Sequence, residues 1–228
     1  MKLSVITCTA DRPWAIKQAE TLMKRQTRQP DEWVVADDGT FPAQLTCNQI
    51  HVTQPRNISG PVSLANNMLA ALSVVTGDII VVVEDDDWYH PAYLETCAKR
   101  LQTTGATGDR ILRYYHVPQR IYITMNNRGS ALAQTSLRRE YLPFMQKAAM
   151  AALTKEDYNI DSRFWSTLAS SDYTLHNDGQ VIGMKGLPGR QGLGIGHRPN
   201  HKRPWRNDPT GKMLRHWLGE EAEAYLAL

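Results

Sequence analysis

At 228 residues, with 42% hydrophobic and 21% charged residues, the chain can bury one sizeable core, or a core with a smaller lobe, and its composition excludes global disorder. A formal net charge of +3 is too small to name a partner, although residues 197–206 (HRPNHKRPWR) gather Arg198, Lys202, Arg203 and Arg206 with two histidines. Three isolated cysteines, Cys8, Cys47 and Cys97, with no CxxC spacing, indicate neither a zinc knuckle nor a disulfide framework. No apolar run reaches the length of a signal peptide or a membrane span, so a reducing cytoplasm is the expected location.

Residues 3–8 (LSVITC) are β-rich and end in the polar turn TADRP. Helical spacing follows from Trp14 to Gln26, with Pro13 in the first turn, where a missing N–H leaves no bond unmade. EWVVA, residues 32–36, predicts a second strand stopped by DDGT, and residues 50–53 a third. PVSLANNMLAALSVV, residues 61–75, predicts a helix that stops at Gly77. Residues 78–83 are almost continuously apolar, as in a parallel strand buried on both faces, and a helix is expected over residues 91–102. This alternation predicts an α/β fold with a parallel sheet covered by helices. After Ile111 the pattern changes: ILRYYHV and RIYITM predict paired strands, and residues 137–153 and 161–170 predict helices. The glycine-rich run KGLPGRQGLGIGH, residues 185–197, has neither period. With no internal repeat and no linker, a single domain over residues 1–228 is expected.

In a parallel α/β sheet, ligands collect beyond the carboxyl ends of the strands. Two acidic clusters fall there, Asp37-Asp38-Gly39 and the run Glu84-Asp85-Asp86-Asp87. The first is equally well read as a solvated turn. Four consecutive acids behind an apolar strand repel one another unless a cation compensates. A hard divalent ion, Mn²⁺ or Mg²⁺, suits them, because it uses one or two carboxylates and leaves positions for phosphate oxygens.

Three stretches carry a resemblance, in register over about residues 3–102. LSVITCTADRP, VVADDGT and TGDIIVVVEDDDWYHPAYLE resemble the opening strand and loop, the VVDDGS motif and the DxD region of glycosyltransferase family 2. The resemblance implies a GT-A fold, a Rossmann-like and mostly parallel sheet flanked by helices. It also implies metal-dependent, inverting transfer of a sugar from a nucleoside-diphosphate donor, UDP-linked in the first instance, to an acceptor hydroxyl. Residues 1–110 would form the nucleotide-sugar half and residues 111–228 the acceptor half.

Carried over by residue, the resemblance puts Asp38 on the donor's uracil or ribose, with Thr7, Thr9, Asp11 and Asp37 around it. Asp86 becomes the direct metal ligand, Glu84 a second candidate that departs from the usual Asp, and Asp85 a donor-side group. Asp87 and Trp88 would face water, sugar hydroxyls or the acceptor. Where the family often has Arg-Asn, this chain has Asn66-Asn67, so a donor-contacting cation is expected from Arg56 or Arg190. His197, closing LGIGH, is a candidate metal ligand, and Gly189, Gly192, Gly194 and Gly196 would let backbone approach the diphosphate or form a lid.

Inverting transfer needs a base for the acceptor hydroxyl, which the family supplies with an Asp at a helix start. EDYNI would make it Asp157, and DSRFWSTLA would make it Asp161 with Phe164 and Trp165 on the buried face. The second register fits better, and a helix N-cap is the competing role for either. A saccharide is the expected acceptor. The alternative is a hydroxymethylated base in DNA, as in bacteriophage DNA glycosyltransferases, contacted by Lys202, Arg203 and Trp205 through phosphates and stacking. A nucleotidyltransferase and a non-catalytic nucleotide-sugar-binding module are the remaining rivals. No G-x-x-x-x-G-K-[ST] run is present, so a simple P-loop reading is excluded.

Overall fold

The computed structural model describes residues 1–47, 49–53, 60–192, 194–199 and 203–228. Its first half runs β1 (Leu3–Thr9), α1 (Pro13–Lys24), β2 (Glu32–Asp37), β3 (Ile50–Thr53), α2 (Pro61–Val74), β4 (Ile79–Val82), β5 (Trp88–Tyr89) and α3 (Tyr93–Arg100). There follow β6 (Ala106–Asp109), β7 (Ile111–His116), β8 (Ile121–Asn126), β9 (Ser136–Arg138), α4 (Leu142–Thr154) and α5 (Ile160–Thr167). The chain closes with β10 (Tyr173–His176), β11 (Val181–Lys185), β12 (Arg206–Asn207), α6 (Lys212–Leu218) and α7 (Ala222–Leu226).

The main sheet has the order β10-β6-β9-β4-β1-β2-β3. Its strands β4, β1, β2 and β3 pair parallel, and β9 is inserted antiparallel between β4 and β6. The central strands are continuously apolar because both faces are covered. Leu3, Val5, Val35, Ile79 and Val81 join one core with Ile16, Leu22, Met23 and Leu94 from α1 and α3. Ile6, Val34, Ala36, Ile80 and Val82 join the other with Met68, Leu72, Met145, Ala149 and Phe164 from α2, α4 and α5. Among the described residues no helix is long and apolar enough to cross a membrane.

A second, smaller sheet, β12-β8-β7-β11-β5, sits at the ligand-facing edge of the first. The predicted hairpin is β7–β8, registered from Ile111 opposite Asn126 to His116 opposite Ile121. β11 lies parallel to β7 and antiparallel to β5, with Ile182 opposite Trp88. β5 follows the acidic run directly, so this pairing ties the acids to the second half of the chain.

One predicted helix starts later than its pattern suggests. Residues 136–138 form β9, and residues 139–141 a 3₁₀ turn, before α4 begins at Leu142 with Pro143 in its first turn. Leu137 is fully buried between Ile80 and Ala106 on the flanking strands, and that pairing overrides the local helical preference.

Candidate active site

The four acids form the turn between β4 and β5. Tyr89 closes this turn, its hydroxyl accepting the N–H of Glu84 at 2.8 Å. Asp85, Asp86 and Asp87 are 2%, 5% and 3% exposed, so the protein or a ligand must compensate their charge. Two cations do so. Arg12, beyond β1, donates to Asp85 Oδ1 at 2.6 Å and lies 3.5 Å from Asp86 Oδ2. Thr9 Oγ1 donates to the second Asp85 oxygen at 2.6 Å. Lys185, at the end of β11, donates to Asp87 Oδ1 at 2.7 Å and lies 3.8 Å from Asp86 Oδ1. The Met184 N–H reaches the same Asp87 oxygen at 3.1 Å.

These neighbours push the acids in different directions. Burial, and then repulsion from Asp87, raises the pKa of Glu84. Burial raises that of Asp87 too, against the pull of Lys185. At Asp86 burial also pushes upward, but Lys185 and then Arg12 outweigh it and hold the pKa below the ordinary range. Asp86 is therefore the acid of the run whose ionised form its neighbours favour most. His197 Nε2 stands 3.4 Å from Asp86 Oδ2. Burial first, and then Lys185, pushes the His197 pKa down to about 3, leaving the neutral imidazole that ligates metals. Its backbone is hydrogen-bonded to the buried His116 of β7.

Glu84, Asp86 and Asp87 can each offer an oxygen within 4.8 Å of the others. Oxygen donors at that spacing, with a neutral imidazole beside them, fit a Mn²⁺ or Mg²⁺ ion.

Beside the acids, the loops after β1 and β2 meet the glycine-rich segment. Asp38 Oδ1 accepts from Asn67 Nδ2 at 2.9 Å and lies 3.8 Å from Arg190 Nη1. Asp38 Oδ2 is buried and has no partner among the described residues. The Arg190 N–H donates to the Asp11 carbonyl at 3.1 Å, and Arg12 Nε donates to the Arg190 carbonyl at 2.9 Å. Gly189 makes this contact possible: its φ is +101°, and a Cβ would stand 2.5 Å from the Asp11 carbonyl oxygen. Asp11 itself has a φ of 51° and accepts the Thr40 N–H at 2.6 Å, which joins the first two loops.

On the other flank, Lys185 Nζ lies 5.4 Å from the centre of the Tyr114 ring. The Tyr114 pKa is raised by burial and then by Asp87, Glu84 and Asp161 against Lys185, so the phenol senses both the acid run and α5. Asp161 sits in the first turn of α5, with Phe164 and Trp165 buried beneath it. Its carboxylate accepts the Ser162 N–H at 2.7 Å, and burial raises its pKa against backbone hydrogen bonds from Ser162 and Leu132. Asp157 precedes the helix and is held at both oxygens by Arg163, with Nη2 to Oδ2 at 2.6 Å. The Arg163 hydrogen bonds and the Asn159 N–H keep Asp157 well below the ordinary carboxylate range.

The family model for glycosyl transferase family 2 matches residues 4–165, which span every acid described above. The chain belongs to glycosyltransferase family 2. An uncharacterized glycosyltransferase of Bacillus subtilis, YwdF, is 29% identical over 108 residues, covering 45% of this chain and 39% of the relative. This family 2 chain thus spans about two-fifths of that relative's length. Solved structures share its GT-A fold. S. aureus TarS 1-349 in complex with UDP-GlcNAc has a TM-score of 0.57 at 15% identity, covering 85% of this chain and 60% of that one. Mannosyltransferase PcManGT from Pyrobaculum calidifontis, in complex with GDP-Man and Mn²⁺, has a TM-score of 0.54 at 17% identity, covering 100% and 70%.

Within this family 2 fold, most of the expected residues converge: Thr9, Asp11, Asp38, Glu84, Asp85, Asp86, Asp87, Arg190 and His197 meet at one sheet edge. Three expected ligand contacts are committed elsewhere. Thr7 is fully buried and accepts the Trp33 indole N–H at 3.0 Å. Asp37 holds its own turn, accepting from the Gly39 and Ala43 N–H groups at 2.8 and 2.7 Å. Trp88 is buried rather than facing an acceptor, its indole N–H donated to Glu221 of the C-terminal segment at 2.5 Å and its ring beneath Arg25. Of the basic tail, Arg203 Nη1 points to Met125 Sδ at 3.0 Å, and Trp205 is partly buried. Arg56 and Lys202 lie outside the described residues. Asn67 stands where the family has the Asn of its Arg-Asn pair, whereas nothing in the sequence marks Arg12, Tyr114 and Lys185, because a lone cation or phenol carries no spacing that does so.

Proposed function

We propose that the chain transfers a sugar, with inversion, from a nucleoside-diphosphate sugar to an acceptor hydroxyl, using Mn²⁺ or Mg²⁺. The observation that carries this reading is the joint placement of two groups at one strand edge. Asp86 has His197 beside it, and the buried Asp38 oxygen lacks a partner among the described residues. A nucleoside offers hydrogen-bond donors that suit that oxygen, and a diphosphate beside Asp86 needs positive charge.

Asp86, His197 and one oxygen of Glu84 or Asp87 would hold the ion. When bound, the ion supplies Lewis-acid neutralisation of the leaving diphosphate. Asp38 and Asn67 orient the nucleoside, while Arg190 and the Gly189 contact close the loop over it and exclude water. Asp161 takes the acceptor proton. A carboxylate whose pKa burial has raised is the stronger base of the two candidates, whereas Asp157 is neutralised by Arg163. A UDP donor is supported by the TarS complex, whereas the mannosyltransferase complex contains GDP-Man, so both nucleotides belong in the test.

The acceptor is a saccharide hydroxyl in this reading. Arg203, one of the three residues expected to contact DNA, is turned onto Met125. The protein should slowly hydrolyse one of a panel of UDP- and GDP-sugars with Mn²⁺ and release nucleoside diphosphate. Release of pyrophosphate from a nucleoside triphosphate would instead indicate nucleotidyl transfer, and no turnover with any donor would indicate a binding module.

A further inference from the structure

Lys185 lies inside the acidic site, and nothing in the family match or in the proposed reaction gives it a role. Its side chain is 7% exposed. Two glycines leave it the room to run there. A Cβ on Gly196 would stand 2.6 Å from Lys185 Cγ, and one on Gly183 would stand 3.0 Å from Lys185 Cε. The path leads under the Tyr114 ring to Asp87 Oδ1 at 2.7 Å, with Asp86 Oδ1 at 3.8 Å. Those are two of the three acids whose oxygens could hold a divalent ion. A metal and this ammonium therefore compete for the same negative charge.

We propose that Lys185 is a resident cation of the site, which shares the acidic cluster with the divalent ion and gives the chain a metal-independent component of diphosphate binding. The inference rests on the nucleotide-sugar reading and adds a charge-compensating residue to it. Without Lys185 and Arg12, four acids would repel a diphosphate unless a metal were present. With them, part of that repulsion is already cancelled, and the ion meets a site whose field has been weakened.

The test has two readouts that move in opposite directions. Mn²⁺ affinity is read from the free-ion signal in electron paramagnetic resonance, without nucleotide. UDP and GDP affinities are read by calorimetry in EDTA. In Lys185→Met, Mn²⁺ should bind more tightly, on the order of tenfold, and the better-bound nucleotide should bind more weakly in EDTA by a similar factor. Lys185→Arg should stay close to wild type in both. Asp87→Asn, which keeps the ammonium and deletes its acid, should bind the nucleotide more tightly in EDTA, and it carries the test should Lys185→Met fail to fold by thermal melting. A merely structural lysine would weaken both affinities together in Lys185→Met, and that outcome overturns the proposal. Wild-type protein that binds UDP or GDP with Mn²⁺ but not in EDTA also overturns it, while leaving the transferase reading intact. Wild-type protein that binds neither nucleotide under either condition defeats both.

Discussion

The acid-rich edge of the main sheet and the face built by the second sheet and α5 meet at one site, but they are assembled differently. The first draws on the ends of three parallel strands, β1, β2 and β4, each followed within a few residues by its functional side chains. The second draws on β7, β11 and α5, whose contributions Tyr114, Lys185 and Asp161 are brought together only by pairings across the chain. Part of the first edge is internally satisfied, with Asp85, Asp37 and Thr7 held by hydrogen bonds within the fold. The difference teaches that an acidic motif needs scaffolding acids as well as reacting ones, and that adjacency in sequence does not tell them apart.

The largest effect should follow from breaking the first edge at its reacting acid. Asp86→Asn should lower kcat/KM on the order of 10³-fold and abolish Mn²⁺-dependent donor binding in protein that remains folded. Turnover in EDTA that matches turnover in Mn²⁺ would count against any metal role. Asp86→Asn activity close to wild type would remove Asp86 from the site.

Next in size is the second face. Asp161→Asn should lower kcat by about 10²–10⁴-fold while sparing UDP or GDP binding. Asp157→Asn should stay within a few-fold of wild type. The reverse pattern would move the base to Asp157. The pH dependence sharpens this comparison. Burial raises the Asp161 pKa, so the acid limb of kcat should lie above the ordinary carboxylate range, rising as Asp161 loses its proton.

Stability should move in the opposite sense for the two acids. The folded Asp161 holds its proton more tightly than the unfolded one, so ionisation at neutral pH favours unfolding and Asp161→Asn should melt at the same or a higher temperature. The Asp157 pKa is depressed in the fold. Its stabilisation is present above the unfolded carboxylate pKa and is lost as pH falls, so Asp157→Asn should cost about 1 kcal/mol at pH 7 and nothing in strong acid. Melting curves at the two pH values check both signs.

A further contrast concerns the metal edge and its support. His197→Ala should weaken Mn²⁺ binding by about tenfold or more, read by the free-ion signal, with little loss of stability. The smallest effect is expected at Trp88. Trp88→Phe removes the hydrogen bond to Glu221 and part of the buried ring under Arg25, so about 1–3 kcal/mol of stability should go while kcat changes little. A large fall in kcat with unchanged stability would return Trp88 to the acceptor site.

The sequence by itself determined the architecture of the first half, because continuous apolar runs and helical spacing follow from two-faced burial, which needs no knowledge of partners. It also marked where the acids cluster, since Asp38 and Glu84 follow their strands within two residues. Only the tertiary structure decided what each acid does. Asp37 and Asp38 are neighbours with the same side chain, yet the Gly39 and Ala43 N–H groups claim the first, while an oxygen of the second has no partner among the described residues. Asp85 and Asp86 differ likewise, through Thr9 on one and His197 beside the other. Segments 136–138 and 181–185 became strands because neighbouring strands offered them hydrogen bonds and buried contacts, and Lys185 entered the site by that pairing alone. Charge compensation depends on distances across the fold, and a pattern along the chain contains no such distances.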